Sequence, residues 1–332
     1  MEVMNDFTLL RPESVADAMR CRRENPNADF LAGGTDLLVN RRRGIGDADT
    51  LIDLTAVDEI AEITITDNGL TVGAGVRLAD LVRHDTICRD YPILAQAAKA
   101  IAGPTHQRFA TVGGNICLDT RCIYYNQSQW WRQSNDFCLK YKGEICHVAP
   151  KSKICFAAFS GDLAPAMLAL GAEVELAGPD GSRRMPLQDL YTDDGAAHLT
   201  LGDGEFVVAL HVPPPQAWGT LYKKVRVRES IEFPLAGVAV ALGRDGDRLS
   251  HLSLAFTGTN PRPILVDGLE ELVGETLSED VQERILRLAN KQIRPMKSTF
   301  SPSTYRRSVA TKLALHAIRE LWADKSSFDC DE

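Results

Sequence analysis

Two glycine pairs, far apart in the chain, restrict its fold more than any other feature. Gly33-Gly34 closes the short apolar run ADFLAGG and leads directly into TDLLVNRRRG, while Gly113-Gly114 sits inside ATVGGNI. A glycine pair lets backbone approach a ligand closely and can turn successive N–H groups toward an anion. The first pair also precedes an expected helix N-terminus, where unpaired donors and the helix dipole favour phosphate. Either pair alone is better read as a plain tight turn. Two such loops together fit a diphosphate gripped from two sides. The common nucleotide motifs do not account for them. Val72-Gly73-Ala74-Gly75 begins like a dinucleotide fingerprint, but Leu78 stands where the third glycine is needed. No G-x-x-x-x-G-K-[ST] run occurs either.

The order of local patterns implies several units. FTLLRP reads as a strand and ESVADAMRCRREN as a helix capped by Ser14. ADFLAGG is a second strand, and TDLLVNRRRG is a brief helix starting at Thr35 or Asp36, with Gly44 just past its end. TLIDL is a third strand, so residues 1–56 form a small α/β unit. ITITDNGLTVGAG then reads as a hairpin, RLADLVRHD and YPILAQAAKAIAG as helices, and ATVGGNI as a glycine loop. Further on, SGDLAPAMLALGAEVEL is a helix closed by Gly171 and followed by a strand, and the prolines of HVPPP mark a domain boundary at 213–215. The remainder reads as three strands and two helices, SEDVQERILRLANKQI and STYRRSVATKLALHAIRELWADK. A length of 332 residues, about twice the ~150-residue domain prior, agrees with more than one domain.

Thirty-seven basic against 45 acidic residues leave a net charge of −8, which argues against a nucleic-acid footprint. No 18-residue apolar run and no cationic leader followed by an apolar stretch are present, so we expect a cytoplasmic protein without membrane spans. Eight cysteines in such a chain are more naturally ligating, reactive or buried than disulfide-bonded. Cys21, Cys88 and Cys330 are scattered, whereas Cys117, Cys122, Cys138, Cys146 and Cys155 fall within 39 residues. Residues 118–156, with seven aromatics and several bases, also interrupt the alternation of strands and helices.

LAGGTDLL at 31–38, ATVGGNI at 110–116, SGDLAPAMLALGA at 160–172 and YKKVRVRESIEFPLAGVAV at 222–240 resemble the flavin-binding subunits of molybdenum hydroxylases. That family includes the flavoprotein parts of xanthine dehydrogenase and carbon monoxide dehydrogenase. The resemblance implies an α+β chain: a two-part FAD-binding domain of the vanillyl-alcohol-oxidase (PCMH) type at 1–215, divided near 56, and a smaller α/β C-terminal domain of the carbon monoxide dehydrogenase flavoprotein type at 216–332. It further implies that Leu31, Ala32, Gly33, Gly34, Thr35, Asp36, Leu37 and Leu38 wrap the FAD pyrophosphate. Thr111, Val112, Gly113, Gly114 and Asn115 would form the second cradle, and Ile101 would lie near the isoalloxazine. Asp162 and one of Lys223 or Lys224 would also contact the flavin, unless Asp162 is only a helix cap and the lysine a solvated strand residue. No catalytic residue is expected on this chain.

In that family the second glycine loop runs almost directly into the SGDLAP segment, whereas here about forty residues intervene. Cys122, Cys138, Cys146 and Cys155 are spaced C-x15-C-x7-C-x8-C, without the C-x2-C pairs of zinc ribbons and with His147 as the only nearby histidine. Four thiolates are the complement of a 4Fe–4S cube. Arg121, Arg132, Lys140, Lys142, Lys151 and Lys153 would offset its charge, and Tyr124, Tyr125, Trp130, Trp131 and Phe137 would exclude water. Structural zinc and unligated buried thiols are the alternatives. Cys117 lies within the glycine-loop motif and is read as a packing residue. The insertion narrows the resemblance to 4-hydroxybenzoyl-CoA reductase β subunits. This implies an oxidoreductase subunit that relays electrons from a ferredoxin-like donor through one 4Fe–4S cluster and FAD. Its partners would be a molybdenum-cofactor large subunit and a 2Fe–2S small subunit, in a dimer of heterotrimers. The rival readings are the flavin subunit of an oxidising molybdenum hydroxylase and a zinc-stabilised interaction protein with a degenerate flavin fold.

Overall fold

Thr8–Leu10 (β1), Asp29–Leu31 (β2) and Thr50–Asp53 (β3) form a parallel sheet ordered β1-β3-β2, with β3 buried at its centre. Parallel neighbours require crossovers, and the helix Val15–Glu24 (α1) supplies the first. Ser14 caps it as expected, accepting a hydrogen bond from the Asp17 N–H at 3.0 Å. The second crossover carries Leu37–Arg42 (α2), which ends before Gly44 at φ +69°. The computed structural model describes residues 6–297 and 301–324; Cys330 and the expected last helical residue, Lys325, lie outside the described residues.

The second sheet is antiparallel. Its strands are Ile63–Thr66 (β4), Gly69–Gly73 (β5), Glu173–Gly178 (β6), Gly181–Pro186 (β7) and Phe206–Val212 (β8), in the order β4-β5-β8-β6-β7. The chain between β5 and β6 carries Leu78–Arg83 (α3), Asp85–Asp90 (α4), Pro92–Ala100 (α5), Pro104–Gln107 (α6), Val112–Ile116 (α7), Gln129–Ser134 (α8) and Leu163–Ala169 (α9). Four of these, α4, α6, α7 and α8, are helices that the sequence reading does not contain. Helix α4 has no side-chain cap to announce it, since His84 makes no capping bond. The expected glycine loop ATVGGNI is the short helix α7, because the Thr111 hydroxyl accepts from the Gly114 N–H and closes the turn.

Gly219–Val225 (β9), Ala236–Asp245 (β10), Arg248–Thr257 (β11) and Ile264–Leu265 (β12) form a third, antiparallel sheet ordered β12-β11-β10-β9. Alternate residues of a strand face opposite sides, and this sheet sorts them by size. Val238, Val240, Leu242, Leu254 and Phe256 build one core with Glu279–Gln292 (α10) and Ser303–Ala323 (α11). Ala239, Ala241 and Ala255 face the other way and join the core of the second unit, where α9 packs against β10 and β11. Small residues on that side let α9, itself fully buried, approach the sheet closely. No helix among the described residues is long and apolar enough to cross a membrane.

Candidate functional site: a flavin cavity and a cysteine-bearing insertion

A cavity of about 660 Å³ opens between the loop after β2 and the N-terminal end of α7. Ala32, Gly33, Gly34, Thr35, Asp36 and Leu37 line it from one side, and Thr111, Gly114 and Asn115 from the other. Ile101, Asp162 and Lys224 also reach it, whereas Leu31, Leu38, Val112, Gly113 and Lys223 do not. Gly34 stands at φ +67°, a conformation that side chains rarely adopt. The N–H groups of Gly33, Gly34, Thr35 and Asp36 have no protein partner among the described residues. Such a run of free donors beside a cavity is a nest for an anion.

The other glycines serve a different purpose from the one expected. A Cβ on Gly33 would overlap the Phe109 carbonyl, so its glycine lets the two cavity loops touch backbone to backbone. A Cβ on Gly113 would come within 2.7 Å of the Ala74 Cβ, on the side turned from the cavity. In α7 the N–H groups of Val112, Gly113, Gly114 and Asn115 are all taken, by Val76, Ala74 and Thr111. The second loop therefore shapes the cavity wall and offers Gly114 as bare surface; it does not present a second row of N–H donors.

The lysine ambiguity is resolved by strand alternation in β9. Lys224 Nζ reaches Asp162 Oδ2 at 3.0 Å and donates to the Ala100 carbonyl at 3.1 Å. Lys223 points to the opposite face and pairs with Glu320 of α11 at 2.6 Å. Asp162 makes no capping bond to α9; it also accepts from the Tyr222 hydroxyl at 2.5 Å. Burial drives the Asp162 carboxyl above its ordinary range, with Lys224 and the Tyr222 bond acting against that shift. Tyr222, unremarked in the sequence, was legible by the same period of two that places it beside Lys224.

The insertion is rooted at this cavity. Arg121 and Ala158 exchange backbone hydrogen bonds at 2.7 and 2.8 Å, which closes its two stems against each other. Arg121 also forms an ion pair with Asp36 of the first cavity loop. The Arg132 side chain, 1% exposed, donates to the carbonyls of Arg43 and Gly44 at 2.8 Å and clamps the far part of the insertion beyond α2. Cys138, Cys146 and Cys155 are buried and Cys122 is half-buried. Burial pushes the Cys122 thiol up to about 11, and Cys138 and Cys146 add to the rise. Cys155 is pushed up to about 12, again first by burial, with Cys146 and Cys122 adding and Lys140 opposing. Cys122 thus lies within electrostatic reach of Cys138 and Cys146, and Cys155 of Cys146 and Cys122. Cys117, raised to about 12 by burial, packs against the core and also lines the flavin cavity.

Among the described residues no three His, Cys, Asp or Glu side chains converge tightly enough for a single metal ion. His147 turns instead to the Phe137 carbonyl and the Tyr124 ring. The thiols as they stand therefore form no closed ligand set, for zinc or for a cluster. Buried donors in the insertion also lack partners: Arg121 Nε, Asn126 Nδ2, and Arg132 Nε and Nη1. Unpaired buried donors are costly. Not every expected neighbour contributes. Lys142, Lys151 and Lys153 are exposed, and Trp130, 75% exposed, cannot exclude water.

Comparison with known proteins bears on both halves of the chain. The family described as the FAD binding domain in molybdopterin dehydrogenase matches residues 5–215, and the CO dehydrogenase flavoprotein C-terminal domain matches residues 220–321. The chain belongs to the FAD-binding subunits of the molybdenum hydroxylase family. It is 36% identical to the aldehyde oxidoreductase FAD-binding subunit PaoB of Escherichia coli (strain K12) over 253 residues, 73% of this chain and 79% of that one. It is 25% identical to the glyceraldehyde dehydrogenase medium chain of Sulfolobus acidocaldarius, covering 95% of this chain and 98% of that one. Reconstituted CO dehydrogenase from Oligotropha carboxidovorans shares the fold, with a TM-score of 0.81 over 97% of this chain and 99% of that one at 23% identity. As a member of that family the chain is an FAD-binding oxidoreductase subunit.

Proposed function

We propose that this chain is the FAD and 4Fe–4S electron-transfer subunit of a molybdenum-containing 4-hydroxybenzoyl-CoA reductase. In this reading it relays electrons from a low-potential donor such as ferredoxin toward a molybdenum-cofactor large subunit, beside a 2Fe–2S small subunit, in a dimer of heterotrimers. The reading is supported by four buried or half-buried thiols carried on an insertion rooted at the flavin cavity. When bound, the cluster exchanges single electrons and FAD one or two, which matches a one-electron donor to the partner centres. Gly33, Gly34, Thr35 and Asp36 hold the pyrophosphate by backbone N–H groups, with Ala32 and Leu37 shaping the loop and Leu31 and Leu38 packing behind it. Thr111, Gly114 and Asn115 form the opposite wall, backed by Val112 and Gly113. Ile101 and Lys224 flank the ring, and Asp162 holds the Lys224 ammonium in place. Cys122, Cys138, Cys146 and Cys155 ligate the cluster.

The likeness to an aldehyde oxidoreductase subunit favours a second reading, the flavin subunit of an oxidising molybdenum hydroxylase. Two measurements separate and test them. In the assembled complex, ferredoxin or reduced viologen should drive product formation from 4-hydroxybenzoyl-CoA; electron flow only from an aldehyde outward would establish the second reading. Cys138→Ser should remove about four irons per chain while FAD stays bound, and flavin reduction by ferredoxin should slow at least tenfold. Unchanged iron content would refute the ligand assignment.

A further inference from the structure

The carboxylate of Asp36 stands where it should oppose the flavin. Asp36 lines the cavity, and its N–H is the last of the four free donors of the nest. A diphosphate gathered by those donors would meet a negative charge on the same loop, and like charges repel more strongly where water is scarce. Asp36 does not direct its carboxylate at α2, since it makes no capping bond there. Instead it closes a ring with two other cavity residues. Asn40 Nδ2 donates to the Asp36 carboxylate at 3.2 Å, Arg121 donates to Asn40 Oδ1 at 3.4 Å, and Arg121 completes the ring through its ion pair with Asp36. Asn40 is buried, and the Arg121 side chain is 15% exposed against 27% for Asp36. The guanidinium is also held from outside the ring. The Phe233 ring, from the segment between β9 and β10, lies 4.7 Å from it, and the Arg121 main chain is bonded to Ala158 on the other stem. The two lysines that line the cavity are committed elsewhere, Lys140 to Asp119 and Lys224 to Asp162.

We infer that Arg121, contributed by the insertion, is a positioning residue for FAD: it neutralises Asp36 and fixes the loop that carries the nest, which makes the insertion a working part of the flavin site. This rests on the reading of that loop as the diphosphate cradle, and not on what the four cysteines hold. With the ion pair intact, the loop meets a diphosphate with four N–H dipoles and no net charge from the pair. Without the guanidinium, it meets the same anion with a bare carboxylate. Arginine suits the task because its planar fork reaches Asp36 and Asn40 together, which a lysine ammonium cannot do in the same geometry. Linkage makes the effect mutual: a flavin that binds better to the docked insertion stabilises that docking by the same factor.

The test is titration of the flavin-depleted assembled complex with FAD, followed by flavin fluorescence. Arg121→Gln should weaken FAD binding roughly tenfold or more, because it leaves Asp36 unopposed beside the anion. Asp36→Asn removes the opposing charge and should bind FAD as tightly as the unmodified protein or more tightly. The double variant Arg121→Gln/Asp36→Asn should return to within about threefold of the unmodified protein, since neither charge remains. A staple that is merely structural gives the opposite pattern: Asp36→Asn weakens FAD binding, and the double variant is no better than Arg121→Gln. Either of those results overturns the inference, as does unchanged affinity in Arg121→Gln. If Arg121→Gln does not assemble, the direction of the Asp36→Asn effect decides alone. Gly34→Val separates this inference from the reading beneath it. Unchanged FAD affinity in that variant removes the cradle itself, whereas weakened binding there beside unchanged binding in Arg121→Gln removes only the role of Arg121.

Discussion

Lys224 has given up water to lie 3.0 Å from Asp162, while its neighbour Lys223 meets Glu320 in a partly solvated pair. Removing one member of a buried pair strands the other, at a cost of about 3–5 kcal/mol, whereas an exposed pair contributes about 0–1 kcal/mol. Lys224→Met should therefore lower the unfolding free energy in urea by several kcal/mol at neutral pH and weaken FAD binding. Lys223→Met should stay within about 1 kcal/mol with flavin affinity unchanged. His198 adds a pH dependence. Burial, assisted by Lys140 and opposed by Asp119 and the Leu118 carbonyl, lowers its imidazole to about 4. A histidine depressed on folding binds its proton more readily in the unfolded chain, so its contribution is complete above ~6.5 and is lost as pH falls toward 4. Between those limits it should add a slope of up to ~1.4 kcal/mol per pH unit. His198→Gln should flatten that part of the stability profile; an unchanged slope would discard the assignment.

At the scale of the element, the loop after β2 carries the free N–H groups and α7 does not, so glycine substitutions there should act differently. Gly34→Val forces a branched side chain into φ +67° beside the nest and should reduce FAD affinity at least tenfold, measured by flavin fluorescence on release. Gly114→Ala, whose added Cβ meets only the Thr111 hydroxyl at 3.1 Å, should fold normally and lose less. Sequence reasoning located both loops, but it assigned the same role to each. The Thr111 cap that turns ATVGGNI into a helix was readable in principle, since threonine three residues before Gly114 is a capping position. The true constraint on Gly33 was not readable, because its partner Phe109 comes from a distant part of the chain. The four clustered cysteines stood out by count alone. Which bases and aromatics accompany them depended on tertiary packing: Arg132 turns to α2 and Trp130 to solvent.

Across the whole molecule, the alanine face of the third sheet couples the C-terminal unit to the flavin cavity through α9 and Lys224. Ala239→Leu would overpack that junction at about 1–3 kcal/mol and should lower FAD occupancy as β9 shifts. Val240→Ala, on the face toward α10 and α11, should cost a similar amount of stability with occupancy unchanged; equal effects on flavin would show that the two faces are not separate. The sorting of this sheet was partly legible in FPLAGVAVAL, where small and branched residues alternate. The contact between Gly33 and Phe109 has a consequence for stability. The nest and the wall opposite it belong to different sheets, and the backbone latch that joins them closes only once both sheets have formed and met. A flavin held between them should therefore resist their separation, so that its release on heating or in denaturant reports when the two parts come apart.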